Sequence, residues 1–339
     1  MATDSAPFSP THRLPLAFTI LQAVLLVAAL VHPVAALLSR RLWLADLVSH
    51  FQEPALLISL LACGALIANH RRLAFALSLL ILFQLTTLLH ESLYNPVPPH
   101  PHSSSRLRIL LINVLCENYS YDQLTQLIQT ERPDVIGFVE FTRDWSTGLV
   151  GLDHEYPHRI EYPAGASGLA VWFRRPPSSR GTLSLPVAEG FPFLHVSFPF
   201  AGVDRHLWLV HPRSPFSRTG KPGNPEIQAL AHIVAATEGS RIVIGDMNTT
   251  QGSAHFRDFL SLSGLRDSRL GFGRQPSWPA NLPYRIAIDH AFVSNDLSVV
   301  SRRLGPDIGS DHLPVILDLA PASLENPTTN ASHASISTP

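Results

Sequence analysis

The segment Gly309-Ser310-Asp311-His312-Leu313-Pro314 places an acid and an imidazole directly before the apolar run Val315-Ile316-Leu317. Two such groups at the edge of a buried strand are costly unless hydrogen-bonded or bound to a cation. Five other apolar runs meet polar residues in the same way. Leu107–Ile112 is followed by Asn113, Val135–Val139 by Glu140, and Leu207–Val210 by His211. Arg241–Ile244 is followed by Gly245-Asp246-Met247-Asn248, and Arg285–Ile288 by Asp289-His290. Asp, Glu and Asn supply the oxygen ligands that a hard divalent cation such as Mg²⁺ prefers. His and Asp supply general acid/base and orienting groups. Each residue alone has a plainer reading: a surface strand-end acid for Glu140, Asx-turn formers for Asp246 and Asn248, a structural histidine for His312. Six strand edges carrying such residues form a collection, and ligand and catalytic groups favour strand ends in layered α/β proteins.

The elements that must position these residues are legible in the same region. Apolar runs of four to eight residues bounded by turn signals read as central strands. Asp122–Gln129 carries Leu124, Leu127 and Ile128 on one helical face. Glu226–Thr237 carries Ile227, Leu230, Ala231 and Val234 at positions i, i+3, i+4 and i+7, the spacing of an apolar helix stripe. A third helix starts near Ser253 as N-cap, carries Phe256, Phe259 and Leu260, and stops at Gly264. With hairpins expected over 160–210, the pattern predicts an α/β sandwich with mixed sheets.

The chain has 339 residues, with 45% hydrophobic and only 15% charged side chains, so it is more apolar than an average soluble domain. Residues 14–38, 54–69 and 73–89 contain no Asp, Glu, Lys or Arg and read as three transmembrane helices, the last two near the lower length limit. Residues 1–94 form this membrane region, and 95–105 (NPVPPHPHSSS) a Pro- and Ser-rich linker. Residues 106–320 form one domain, and 321–339 a tail of disordered composition with a sequon at Asn330. The positive-inside rule gives three basic residues against four and decides little. The His70-Arg71-Arg72 turn favours a cytoplasmic amino terminus, which puts the domain outside the cytoplasm of a cell with a multi-pass inner-membrane anchor. Cys63 and Cys116 imply no disulfide framework. Residues 106–320 hold 20 Lys and Arg against 21 Asp and Glu, which argues against a basic nucleic-acid footprint.

The soluble region resembles the endonuclease/exonuclease/phosphatase superfamily, the DNase I-like fold. The resemblance rests on Ile112-Asn113-Val114, Pro133-Asp134-Val135 through Glu140, Gly245-Asp246-Met247-Asn248, Asp289, and Gly309-Ser310-Asp311-His312-Leu313-Pro314. It spans residues 106–320, and with the apolar spans in front it looks like a bacterial membrane-anchored member. It implies a four-layer α/β sandwich and a Mg²⁺- or Mn²⁺-dependent phosphoesterase. By position it makes Glu140 the principal metal ligand, with Asn113 beside it and Asp311 on the metal side. Asp246 and Asn248 would orient the attacking water, Asn248 also touching the phosphate. Asp289 would pair with His312, which would stabilise the phosphate or protonate the leaving oxygen. His211 matches the family's mid-domain histidine, but it precedes Pro212-Arg213 where many members continue differently, and its acidic partner cannot be found by spacing.

Beyond the matched set, Arg285 is a candidate for the phosphate, His290 reads as structural, and Trp278 and Tyr284 read as core. The expected partners are a phosphoester substrate, lipid-linked or small, and the bilayer, with no obligate protein partner. The rival readings are a nuclease of the same fold, a non-catalytic binding module and a small transporter. Here all the matched ligands are present, and three nearly uncharged spans offer no pathway of ionisable residues.

Overall fold

The computed structural model describes residues 15–93, 104–185, 190–216 and 225–323. Most of the expected linker, nearly all of the expected tail, and Asn330 lie outside these described residues. In chain order the amino-terminal helices are α1 (Leu16–Leu38), α2 (Trp43–Ser49), α3 (Gln52–Leu66) and α4 (Arg71–Leu93). α1 packs on α3 and α3 on α4, with Ala29, Ala62, Leu66, Ala74 and Leu77 at the centre. Small side chains there let the backbones approach closely. α1 is long and apolar enough to cross a membrane, and so is α4 over Arg71–Leu89. The expected second span differs: α3 has 15 residues and meets α2 at a 77° bend, so a third span exists only if that bent pair counts as one. The bend falls at His50 and Phe51, and α2 turns its polar residues toward the rest of the molecule. Charge-free runs in the sequence do not reveal a bend of this kind.

The remaining strands and helices are β1 (Leu107–Asn113), α5 (Tyr121–Glu131), β2 (Val135–Val139), α6 (Arg143–Gly148), β3 (His158–Tyr162), β4 (Leu169–Phe173) and β5 (Thr182–Ser184). They continue with β6 (Phe193–Phe200), β7 (Val203–Val210), α7 (Pro225–Ala235), β8 (Ser240–Asp246), α8 (Ala254–Ser263) and β9 (Arg266–Asp267). The last three are β10 (Asp289–Val293), β11 (Leu297–Leu304) and β12 (Val315–Pro321). Two six-stranded sheets result, ordered β11-β12-β1-β2-β4-β3 and β5-β6-β7-β8-β10-β9. Among the described strands only β1–β2 and β7–β8 are parallel, so both sheets are mixed.

The layering follows from which faces are apolar. One cluster, including Ile109, Leu111, Val139, Leu209, Ile244 and Leu317, fills the space between the sheets. A second joins the outer face of the first sheet to α5 through Leu124, Leu127, Ile128 and Trp172. A third joins the second sheet to α7 and α8 through Ile227, Leu230, Phe256 and Phe259. Strands buried on both faces carry continuous apolar runs rather than alternation. Ser253 caps α8 by accepting from the His255 amide, and Gly264 ends it at φ 68°.

One expected strand is absent. In Arg285–Ile288 only Ile286 forms a bridge, to Trp278, and the strand begins at Asp289 instead of ending before it. The reason is register: β10 runs antiparallel to β8 and pairs Asp289 with Asp246. Extension on the amino-terminal side would overrun the end of β8, and Pro279 and Pro283 precede it.

Gly168 closes the turn behind Glu140. Phe141 N–H donates to Gly168 O, and a Cβ on Gly168 would lie 1.9 Å from Phe141 O. Gly168→Ala is expected to destabilise the fold by about 1–3 kcal/mol, as overpacking does. A lowered midpoint in chemical unfolding of the purified protein checks this.

Candidate active site

β1, β2, β7 and β8 deliver their carboxyl ends, and β10 and β12 their amino ends, to one edge of the sandwich. Asn113, Glu140, His211, Asp246, Asp289 and His312 therefore meet there, although they span 200 residues. The Asn113 amide donates to Glu140 Oε1 at 3.0 Å and to Asp246 Oδ2 at 3.1 Å, linking the two sheets. Its Oδ1 accepts from Leu115 N–H at 3.0 Å. The Cys116 N–H donates to Glu140 Oε2 at 3.3 Å. Asp246 Oδ2 also faces His211 Nε2 at 3.5 Å and His312 Nε2 at 3.6 Å. His312 Nδ1 pairs with Asp289 Oδ2 at 2.8 Å.

Glu140, at φ 60°, and Asn248, two residues after Asp246, at φ 49°, hold left-handed backbone. Asn accepts this conformation readily, whereas for Glu it costs about 1 kcal/mol. Strain of that kind collects where surrounding structure fixes a functional side chain. Here the turn after β2 aims the Glu140 carboxylate back at Asn113. Asn248 N–H donates to Asp246 Oδ1 at 2.9 Å and its side-chain amide to Pro212 O at 3.0 Å, an Asx turn that locks the Asp246 carboxylate.

The opening stretch is held from behind. Ser310 Oγ donates to Asn113 O at 2.8 Å and accepts from His312 N–H at 3.1 Å. Gly309 at φ 80° lies against Ser120, with 2.3 Å from a virtual Cβ to Ser120 Oγ. Asp311 is more open; its Oδ2 accepts from Trp278 Nε1 at 3.0 Å and its Oδ1 is 4.0 Å from His312 Nε2.

Electrostatics sort the groups into opposite charges. Burial alone would lower the His312 pKa, but Asp289 and Asp246 outweigh it and push it up to about 10. Burial would likewise raise Asp246, yet His312 and His211 outweigh it and hold it at about 2. Burial penalises a charged His211 as well, but the hydrogen bond and charge of Asp246 leave its pKa raised. Burial raises Asp289 against the pull of His312. The site thus favours a buried imidazolium held by two carboxylates.

His211 donates from Nδ1 to Ala166 O at 2.9 Å, which fixes its tautomer and aims Nε2 at Asp246. Its acidic partner comes from the neighbouring parallel strand, which sequence spacing could not show. Arg285 does not join the group: its guanidinium donates to the carbonyls of Ala280 and Leu282 at 2.8 and 3.2 Å, away from the cluster. Arg213 takes the place at the rim of the cavity, and Pro212-Arg213 directly after His211 was the available signal. Trp278 and Tyr284 are not core. Trp278 is half-buried and lines the cavity, while Tyr284 is exposed and donates to Glu53 at 2.8 Å. Trp–Pro and Pro–Tyr flanks keep both out of the sheets. His50 also lines the cavity, and nothing local in the sequence marks it. The cavity is about 570 Å³, enough for a small phosphoester head.

The donor set fits a divalent cation. Glu140, Asp246 and Asp289 converge with Asp311 at the rim, all hard oxygen donors. Among the described residues, buried Asp289 Oδ1 has no hydrogen-bond partner. Asp246, Asp289 and His312 also offer ligand atoms within 4.8 Å of one another. That trio differs from the Asn113, Glu140 and Asp311 set expected from the resemblance, but two of its members are already bonded to each other.

His290 sits just outside this group, with Nε2 on Thr249 O at 2.8 Å and no exposure. Burial, with Arg269 nearby, pushes its pKa down to about 3. A depressed histidine contributes stability that is present above its unfolded pKa of 6.5 and is lost as pH falls toward 3. The urea midpoint is therefore expected to decline between pH 6.5 and 4, and less steeply in His290→Gln.

A family model described as the endonuclease/exonuclease/phosphatase family matches residues 110–312. Similar solved structures include humanised Danio rerio TDP2, with 15% identity and TM-score 0.54, covering 64% of this chain and 99% of that one. Danio rerio TDP2 complexed with a single-strand DNA product gives 18% identity and TM-score 0.53, over 64% and 99%. An endonuclease/exonuclease/phosphatase family protein from Leptotrichia buccalis gives 19% identity and TM-score 0.51, over 63% and 99%. At these identities they show a shared fold. No curated protein matches the sequence. The sandwich, the convergence of both sheets on one polar edge and the family match agree: the chain belongs to the endonuclease/exonuclease/phosphatase family.

Proposed function

We propose that the protein is a divalent-metal phosphoesterase, using Mg²⁺ or Mn²⁺, that hydrolyses a phosphate mono- or diester and is held at a bilayer by its amino-terminal helices. The observation that carries the reading is the hydrogen-bonded Asn113–Glu140–Asp246–Asp289–His312 cluster, of which Glu140, Asp246 and His312 line one cavity. Glu140, with Asp246 and Asp311 nearby, would hold the cation, while Asn113, whose amide donates to Glu140 and Asp246, positions those carboxylates. When bound, it neutralises phosphate charge and lowers the barrier to nucleophilic approach. Asp246, fixed by Asn248, orients water and accepts its proton. Water oxygen bonds to phosphorus, the phosphorus–oxygen bond to the leaving group breaks, and the leaving oxygen takes a proton. His312, charged and braced by Asp289, neutralises the phosphoryl oxygens or supplies that proton; His211 faces the same Asp246 oxygen and assists.

The near balance of charge over residues 106–320 disfavours a general nuclease, although a relative of this fold is known with a DNA product. The test uses the full chain in detergent with a phosphomonoester, a phosphodiester and single-stranded DNA. Turnover of an ester that stops on chelation and returns with Mg²⁺ is expected. DNA cleavage without small-ester turnover favours the nuclease reading, and no turnover of any substrate with Mg²⁺ or Mn²⁺ defeats the proposal.

A further inference from the structure

The catalytic cavity does not end at its polar floor. It shares Phe216, Trp278 and Ile286 with an adjoining groove of about 460 Å³, whose other walls include Phe51, Leu282 and Tyr284. That lining is apolar apart from ring hydroxyl and indole edges, and the Tyr284 hydroxyl and the Trp278 indole N–H are already used on Glu53 and Asp311. Phe216 and Leu282 are exposed, so the groove opens outward.

Phe51 comes from the bend between α2 and α3, not from the sandwich. It stacks on Tyr284 with ring centroids 6.4 Å apart. The same bend is pinned to the domain by a row of polar contacts. Arg40 bonds Asp258 at 2.6 Å, Asp46 accepts from Ser253 at 2.6 Å, His50 Nδ1 meets Thr250 Oγ1 at 2.9 Å, and Glu53 pairs with Arg274. A Cβ on Gly252 would lie 2.0 Å from Ser49 O, so only glycine permits this approach. The apolar groove therefore reaches from Phe51, at the bend between α2 and α3, to the catalytic cavity. At the cavity end stand the guanidinium of Arg213, 3.9 Å from Glu226, and the imidazole of His211, both able to donate to a phosphate.

We propose that this groove takes the hydrocarbon chain of a membrane lipid whose phosphoester head enters the catalytic cavity, so that the substrate is a lipid phosphoester reached sideways from the bilayer. The proposal rests on the phosphoesterase reading for its chemistry, while the groove and its junction with the helices stand on their own geometry. Apolar walls reward a chain that leaves water, at about fourfold in affinity for each methylene buried. Holding the catalytic domain at the bilayer raises the local concentration of such a substrate further.

Two measurements on the full chain in detergent separate the groove from the chemistry. The first uses alkyl 4-nitrophenyl phosphate diesters with two to eight carbons, kept below their micelle thresholds. kcat/KM is expected to rise about two- to fourfold per methylene. Leu282→Glu, at an exposed position that lines the groove and not the catalytic cavity, is expected to flatten that slope. The ratio of long- to short-chain kcat/KM should fall at least tenfold. A slope near zero in the unaltered protein, or an unchanged ratio in the variant, overturns the proposal. The second uses a hexadecyl phosphate with a terminal diazirine, independent of turnover. Light-driven labelling of peptides containing Phe51 or Leu282, suppressed in Leu282→Glu, supports the groove. Labelling confined to other surfaces means that something else covers it, and overturns the proposal. If labelling is found but no ester is hydrolysed, the phosphoesterase reading fails and the lipid groove stands.

Discussion

Replacing His312 with alanine is expected to lower kcat/KM by about three orders of magnitude, within the 10²–10⁴ range for loss of a positioned acid/base group. The size follows from its setting. The ring is buried, bonded to Asp289 at 2.8 Å and faced by Asp246, so its charge is held in place before any substrate arrives. A preorganised charge in a water-poor site is worth more than the same charge in water. Asp289→Asn keeps the shape but removes the charge that favours the imidazolium, and a loss of similar order is expected. The double variant should then lose little beyond either single one, because the two act as a unit. Additive losses would show that Asp289 works apart from His312.

The pH dependence carries a sign that can be checked. The His312 pKa is raised from 6.5 to about 10, so its stabilising contribution is complete below pH 6.5 and disappears as pH rises through 10. Asp246 is depressed from 3.8 to about 2, so its contribution is complete above 3.8 and disappears as pH falls through 2. In the protein without added metal, the chemical-unfolding midpoint should therefore fall from pH 8 to pH 10.5, and this fall should be absent in His312→Ala.

Glu140→Gln is expected to abolish metal-dependent turnover, with kcat/KM down by about 10³ or more, as suits a group that would hold the cation. The amide keeps the size of the carboxylate, so loss of activity would not reflect a lost shape. Stability should move the other way. Glu140 is held at φ 60° in a cavity it shares with Asp246 and Asp311, and removing one of these negative charges relieves repulsion. An unchanged or higher unfolding midpoint in the metal-free variant, together with lost turnover, is the expected pair of results. Full activity in Glu140→Gln would remove Glu140 from the site.

Much of the polar edge is legible in the sequence. Strand runs that are buried on both faces must be continuously apolar, and the polar residue that ends such a run must lie at an edge of the sheet. That is why Leu107–Ile112 pointed to Asn113 and Val135–Val139 to Glu140. Helix periodicity placed α5, α7 and α8 for the same local reason, since one face of each must be buried. Arg285 and Trp278 went astray because their neighbours are irregular: without a strand at Arg285–Ile288 there is no alternation to fix where a side chain points.

What the sequence determined by itself is therefore a set of local facts: which residues end strands, which faces are apolar, where charge is absent over a helix length. Which strand ends meet was a tertiary decision. Asp246 met Asp289 through antiparallel register, Asn113 met Asp246 across two packed sheets, and His211 found its carboxylate on the adjacent parallel strand. The bend at His50 and Phe51, and its docking on the sandwich, was decided the same way. Local pattern responds to the burial of a residue's own faces, whereas these contacts depend on pairings between segments as distant in sequence as Phe51 and Tyr284. No period in the chain encodes such pairings.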